Sequence, residues 1–283
     1  MSGSVAPAER QLSAAVSVGI GGAPSAPRSQ LVELCASGRA SACNDLALAT
    51  LAESRGPQGD TRAVEILRPA CDRGSLDACN ALGVMWMLGR GGQRDEAGAE
   101  QLFARGCDRG LAAACNDLGT LWMHAVDVAR DPVGAAGMFR SACEGGYLSA
   151  CVNLGALLQT GTGVARDAAR AYALYEQACT GRLWAGCANL GTLLVLGEGA
   201  PQDLQRAIVL FREACAHGEP AGCLHLGEVA LMGIGVARDD AAGARLFRQG
   251  CEGGNSEACA HLGYCFLHGQ GVPHDGAEAA RWY

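Results

Sequence analysis

Apolar residues recur along this chain at the i, i+3, i+4 spacing of one buried helical face, in two kinds of segment that alternate. The first kind is written CVNLGALLQTG (Cys151 to Gly161) or CANLGTLLVLG (Cys187 to Gly197), with Leu154, Leu157 and Leu158 marking its apolar side. The second reads DAARAYALYEQAC or DDAAGARLFRQGC, where Ala171, Leu174, Tyr175 and Ala178 carry the same spacing. Both patterns predict helices of about 13 residues, joined by the turns GTGVARD, GEGAPQD, GIGVARD and GQGVPHD. In those turns Gly161, Gly197, Gly233 and Gly269 end the first helix in the left-handed conformation. Asp95, Asp131, Asp167, Asp203, Asp239 and Asp275 are natural N-caps of the second. Gly38, Gly74, Gly110, Gly146, Gly218 and Gly254 then stop the second helix; one unit departs, with Gly181 a residue early and Arg182 in the usual place. Gly155, Gly191, Gly227 and Gly263 fall in mid-helix, where glycine costs roughly 1 kcal/mol against alanine. Their recurrence predicts a close helix–helix approach with no room for a side chain.

The whole pattern repeats every 36 residues without insertion. A fixed period of this size predicts an all-α, α/α solenoid, a right-handed superhelix of about seven helix-turn-helix repeats. First helices line one surface and second helices the other. The expected organisation is a flexible Ser/Ala/Gly/Pro-rich leader over residues 1–28, then the solenoid over 29–283 with its last repeat truncated. LSAAVSVGIGGA in the leader is a weak signal-peptide core, without a basic start or a clean cleavage site.

Fourteen of the 15 cysteines form seven pairs spaced by eight: Cys35/Cys43, Cys71/Cys79, Cys107/Cys115, Cys143/Cys151, Cys179/Cys187, Cys215/Cys223 and Cys251/Cys259. Eight residues of continuous helix would hold two cysteines ~12 Å apart, beyond disulfide reach. The glycine between them breaks the helix and lets the ends return, so a bridge would staple the end of one second helix to the start of the next first helix. Zinc binding and reduced, buried thiols are the other readings, although no C-x-x-C knuckle of the usual zinc kind occurs. Seven in-register pairs favour disulfides, and with them an oxidising compartment, periplasmic or extracellular.

With the signature A-C-x-x-L-G-x-L, then G-x-G-V-x-x-D, then A-x-x-L-F-x-x-A-C-x-x-G, the repeat resembles the Sel1-like repeat family, relatives of the tetratricopeptide repeats. The cysteines eight apart are similar to those of its disulfide-rich subgroup, typified by the Helicobacter cysteine-rich proteins. The resemblance covers residues ~29 to 283 and implies an adaptor or scaffold role. For the cysteine-rich subgroup it further implies secretion, with weak penicillin binding and β-lactamase activity in some members. Two turns depart from the pattern: HAVDVARD (His124 to Asp131) lacks both glycines, and ESRGPQGD (Glu53 to Asp60) has its capping acid displaced by one.

Charge narrows the possibilities. The net charge is −7 and all 22 basic residues are arginine, so no basic stripe suggests nucleic acid and none of the lysine-dependent mechanisms is available. The S-x-x-K and K-T-G elements of serine β-lactamases, a P-loop, H-E-x-x-H and G-x-S-x-G are all missing. No stretch approaches the ~20 apolar residues of a membrane span.

Two sets of residues are candidates for binding. Two positions after the second cysteine stands a polar series, Asp45, Asp117, Asn153, Asn189, His225 and His261, suited to hydrogen bonding an extended peptide. Its bland counterpart is helix-start solvation. Trp86 and Trp122 share one position in adjacent repeats, with Phe266 later at the same place; they are groove anchors or inter-repeat core. The unpaired Cys265 forms H-x-x-x-C-x-x-H with His261 and His268, a face that could ligate zinc or haem iron, although Leu121, Leu157 and Leu193 stand at its position in other repeats. The expected function is therefore a non-catalytic, disulfide-stapled scaffold that binds a protein or peptide along its concave surface, without a cofactor. A weak penicillin-binding or β-lactamase-like protein is the enzymatic alternative, and a haem- or metal-handling assembly factor the third.

Overall fold

Six aspartates one repeat apart each accept a hydrogen bond at the start of a second helix, and they set the frame of the molecule. In the computed structural model, which describes residues 26–54 and 56–283, the side chains of Asp95, Asp131, Asp167, Asp203 and Asp239 accept from the backbone N–H of Gly98, Gly134, Arg170, Arg206 and Ala242. Asp275 accepts from Ala277 and Glu278. These bonds satisfy N–H groups that have no partner within the helix.

The described residues form fifteen helices and no strand. They are α1 (Arg28–Ala36), α2 (Ala40–Glu53), α3 (Pro57–Asp72), α4 (Leu76–Met87), α5 (Glu96–Asp108), α6 (Ala112–His124), α7 (Pro132–Glu144) and α8 (Leu148–Thr160). There follow α9 (Ala168–Thr180), α10 (Trp184–Leu196), α11 (Leu204–Ala216), α12 (Pro220–Met232), α13 (Asp240–Glu252), α14 (Ser256–His268) and α15 (Gly276–Trp282). The expected leader over residues 1–28, with its signal-like core, lies outside the described residues up to position 25; α1 already begins at Arg28.

The described residues divide into two compact units, one ending at Ala150 and the other running from Cys151 to Tyr283. In each, consecutive helices pack against one another as an α/α solenoid. Successive first helices also touch directly (α2 with α4 and α4 with α6 in one unit, α10 with α12 and α12 with α14 in the other), whereas successive second helices stand further apart. Tighter spacing on the first-helix side makes it the inner face of each unit.

Two departures have local causes. The displaced acid of the first turn, Asp60, does not cap its helix, because α3 starts earlier, at Pro57 behind the N-cap Gly56. Asp60 instead accepts hydrogen bonds from Nε and Nη2 of Arg90, at 3.1 and 2.6 Å. At the other departure the chain keeps its left-handed residue in register: Arg182 has φ +63°, while Gly181 is right-handed at −74°.

The glycine-free third turn is rebuilt around a carboxylate. In three other turns the second glycine passes over a carbonyl one repeat back; a Cβ at Gly91 would lie 2.6 Å from the carbonyl oxygen of Asp60, and one at Gly199 or Gly271 closer still to that of Ala168 or Asp240. Asp127 occupies the equivalent place, and Glu96 the place of Asp60. The Glu96 side chain is buried and accepts hydrogen bonds from the backbone N–H of Val126, Asp127 and Val128 at 2.9, 2.7 and 3.2 Å, and from Arg94. Burial acts to raise its pKa, but those N–H groups and Arg94 together hold it below the usual glutamate value.

Candidate functional site

The cysteine pairs lie where second helices hand over to first helices. Cys35–Cys43, Cys71–Cys79, Cys107–Cys115, Cys179–Cys187, Cys215–Cys223 and Cys251–Cys259 are disulfides, with Cα separations of 4.5 or 4.6 Å. Cys143 and Cys151 are disulfide-bonded as well. The left-handed residue between the two cysteines of a pair, Arg182 between Cys179 and Cys187 and a glycine in the other pairs, makes this possible, since it lets the chain reverse within eight residues.

Immediately after each staple, the polar series occupies the first turns of the first helices. Asn153, Asn189, His225 and His261 are all half-buried, each one repeat beyond the last. In the other unit, Asp45 is half-buried but Asp117 is only 5% exposed. Asp117 accepts hydrogen bonds from Nδ2 of Asn80 (2.8 Å) and Nδ2 of Asn116 (3.1 Å), so it belongs to an internal network and not to an open surface. Burial pushes its pKa up to about 6 against the opposing pull of those two amides. Burial of the Tyr147 hydroxyl, with a smaller contribution from the Asp117 charge, raises the pKa of this nearby tyrosine to about 12. Asparagine recurs directly after the second cysteine at 44, 80 and 116, a signal for this network that was readable in the sequence.

Around the last two members of the series the structure assembles a titratable cluster. Nδ1 of His225 lies 3.0 Å from Oε2 of Glu228, and Nε2 of His261 lies 3.6 Å from Oε1 of the same carboxylate. Glu257, one helical turn before His261 on α14, forms with Glu228 and His261 a group whose ligand atoms lie within 4.8 Å of one another. His225 packs against Phe211 and His261 stacks on Phe247, at ring separations of 5.1 and 4.9 Å. The spacing Glu257-x-x-x-His261 was legible as one helical face; the part played by Glu228, on another repeat, was not.

Cys265 and His268 do not join that group. The Cys265 side chain is fully buried among Leu224, Ala244, Phe247, Leu262 and Phe266. Burial, with a smaller contribution from the Asp240 charge, raises its thiol pKa. His268 is exposed and lies against Tyr264, at a ring separation of 4.2 Å. Cys265 thus fills the space that leucine fills elsewhere, which separates it from the two histidines.

The tryptophans point away from the inner face. Arg68 of α3 sits 5.4 Å over the Trp86 ring, and Gly98 of α5 approaches the same ring, so Trp86 lies between two second helices. Trp122 repeats that placement against Gly134 and donates a 2.6 Å hydrogen bond from Nε1 to Glu100. Phe266, at the same position, is buried. These aromatics are inter-repeat packing, on a different side of the helix from the polar series.

Comparison with known proteins is in keeping with the geometry. The Sel1 repeat model matches residues 40–75, 76–111, 112–147, 148–181, 184–219, 220–255 and 256–283, passing over Arg182 and Leu183. No curated protein matches significantly. Among solved structures, a protective antigen of uropathogenic Escherichia coli displaying an SLR fold is 29% identical, with a TM-score of 0.66 over 91% of this chain. The chain spans 55% of that antigen's length. A Sel1 repeat protein from Oxalobacter formigenes is 20% identical, with a TM-score of 0.71 over 83% of this chain and 94% of its own. An immunity protein from Pseudomonas aeruginosa, also 20% identical, has a TM-score of 0.56 over 76% of this chain and 82% of its own. With seven matched repeats covering residues 40 to 283 almost without a break, the chain belongs to the Sel1 repeat family.

Proposed function

We propose that this protein is a disulfide-stapled scaffold that works in an oxidising, extracytoplasmic compartment and binds a protein segment along the inner face of its first helices. The observation that carries this reading is the column Asn153, Asn189, His225 and His261. One half-exposed polar side chain stands at the same place on each successive first helix. Repeats of helix pairs suit extended ligands, because each unit adds one equivalent contact to the same surface. Amides and imidazoles both donate and accept hydrogen bonds, which matches the alternating groups of a peptide backbone. The paired cysteines support the compartment: they are stable where thiols are oxidised and are rarely kept in a reducing cytosol. No helix among the described residues is long and apolar enough to cross a membrane.

The test is selection of binders from a random peptide library on the oxidised full chain. Selected peptides are expected to lose at least tenfold in affinity on Asn189→Ala combined with His225→Ala, with helix content unchanged by circular dichroism. Peptides that keep their affinity for that variant and lose it on Arg206→Ala, on a second helix, would overturn the proposed face.

A further inference from the structure

We propose that Glu228, Glu257 and His261 form a site for a divalent metal ion of the zinc type, tying two successive repeats together. The ligand atoms already converge, all within 4.8 Å of one another, and they come from two helices: Glu228 from α12, Glu257 and His261 from α14. Zinc binds imidazole nitrogen at about 2.0–2.1 Å and carboxylate oxygen at about 2.0–2.2 Å, so ligand atoms within 4.8 Å of one another are near the separation that one shared ion requires.

The neighbouring groups prepare this arrangement. Metal-binding carboxylates are commonly held by a hydrogen bond to the oxygen that does not ligate. Here His225 Nδ1 lies 3.0 Å from Oε2 of Glu228 and leaves Oε1 facing His261. The His261 ring is fixed in plane by stacking on Phe247, at an interplanar angle of 16°. Two carboxylates brought this close repel one another, and a cation removes that repulsion. The donor set of one nitrogen and carboxylate oxygens selects a borderline divalent ion over a soft one. His225, Glu228 and His261 are 27%, 27% and 33% exposed at their side chains, so an ion bound there keeps a coordination position open to the inner face. This site excludes Cys265 and His268, and it does not depend on the peptide-binding reading of that face.

Zinc chloride titrated into the oxidised full chain against a chromophoric chelator provides the test. One equivalent of zinc is expected to bind. Glu257→Gln and His261→Ala each remove a ligand and are expected to weaken binding by more than the 10–100-fold typical of losing an outer partner, with His225→Ala inside that range. Glu257 is exposed, so its variant reports on the site even if His261→Ala loosens the stacking on Phe247. Cys265→Ser and His268→Ala are expected to leave affinity unchanged. No saturable binding, binding unaltered by Glu257→Gln, or loss of binding on Cys265→Ser would each overturn the proposal.

Discussion

A Cβ atom placed on Gly191 would lie 2.5 Å from Cε1 of Phe211, the ring that fills the notch left by the missing side chain. The relation recurs at a fixed offset of twenty residues: Gly83 faces Phe103, Gly119 faces Phe139, Gly155 faces Tyr175, Gly227 faces Phe247 and Gly263 faces Tyr283. At the equivalent first position stand Ala47 and Leu67, which share one core cluster. Small residue and ring therefore vary together. Gly191→Ala gains helix propensity but overpacks the ring, and is expected to lower stability by about 1–2 kcal/mol in chemical denaturation. Adding Phe211→Leu to it should return part of that loss, giving a favourable coupling in a double-mutant cycle.

The staples are expected to act one repeat at a time. Replacing both Cys215 and Cys223 by alanine opens a nine-residue loop, worth ~2.5 kcal/mol in the chain-entropy model. The melting temperature should fall while helix content at room temperature is kept. Alkylation of the unfolded, unreduced chain should label Cys265 and leave the bridged cysteines unmodified, as counted by mass spectrometry.

Two buried carboxylates in neighbouring repeats should respond to pH with opposite sign. Asp117 has its folded pKa raised from 3.8 to about 6, so between those values the folded chain holds a proton that the unfolded chain has released. Its contribution to stability therefore falls as pH rises through that window. Asp117→Asn is expected to stabilise the protein at pH 7, by on the order of 2 kcal/mol, and to lose that advantage near pH 4. Glu96 is held below its ordinary value, so its contribution is present above pH 4.5 and is lost as pH falls below it. Denaturation of Asp117→Asn between about pH 4 and 7, and of Glu96→Gln from about pH 6 down to about 2, checks the two signs.

Glu96→Gln should also act locally. The carboxylate serves three backbone N–H groups of a turn that has no glycines, and bonds to a charged acceptor contribute about 1.5–3 kcal/mol each. Hydrogen exchange at Val126, Asp127 and Val128 is expected to quicken in the variant, while the amides of Thr162 and Glu198, which donate to the Leu157 and Leu193 carbonyls in glycine-containing turns, keep their protection.

Arg182 holds the left-handed conformation that glycine adopts at the equivalent positions, at a cost of roughly 1–2 kcal/mol for a residue with a side chain. Arg182→Gly is expected to raise stability by a fraction of that cost, since glycine also gains freedom in the unfolded chain. An unchanged melting temperature would show that the strain is relieved elsewhere.

Much of the fold was legible in the chain. Helix-period spacing, six capping aspartates, the stop glycines and cysteines eight apart each depend on neighbours within one turn or one repeat, and a fixed period multiplies every such signal. The candidate sites were legible only in part. Asp117 looked like a member of an open polar series, but Asn80, 37 residues away, draws it into the interior. Cys265 looked like a ligand beside His261, yet it packs as a leucine would.

What the sequence determined by itself is therefore the local and periodic part: all-helical repeats of 36 residues, their caps, their turns and the staples between them. The tertiary structure decided which side chains meet across repeats. It set Glu228 of α12 against His261 of α14, laid the Glu96 carboxylate under a turn thirty residues on, and turned Trp86 toward the second helices. Contacts of this kind are fixed by the packing of one repeat on the next. No spacing within a single helix encodes them.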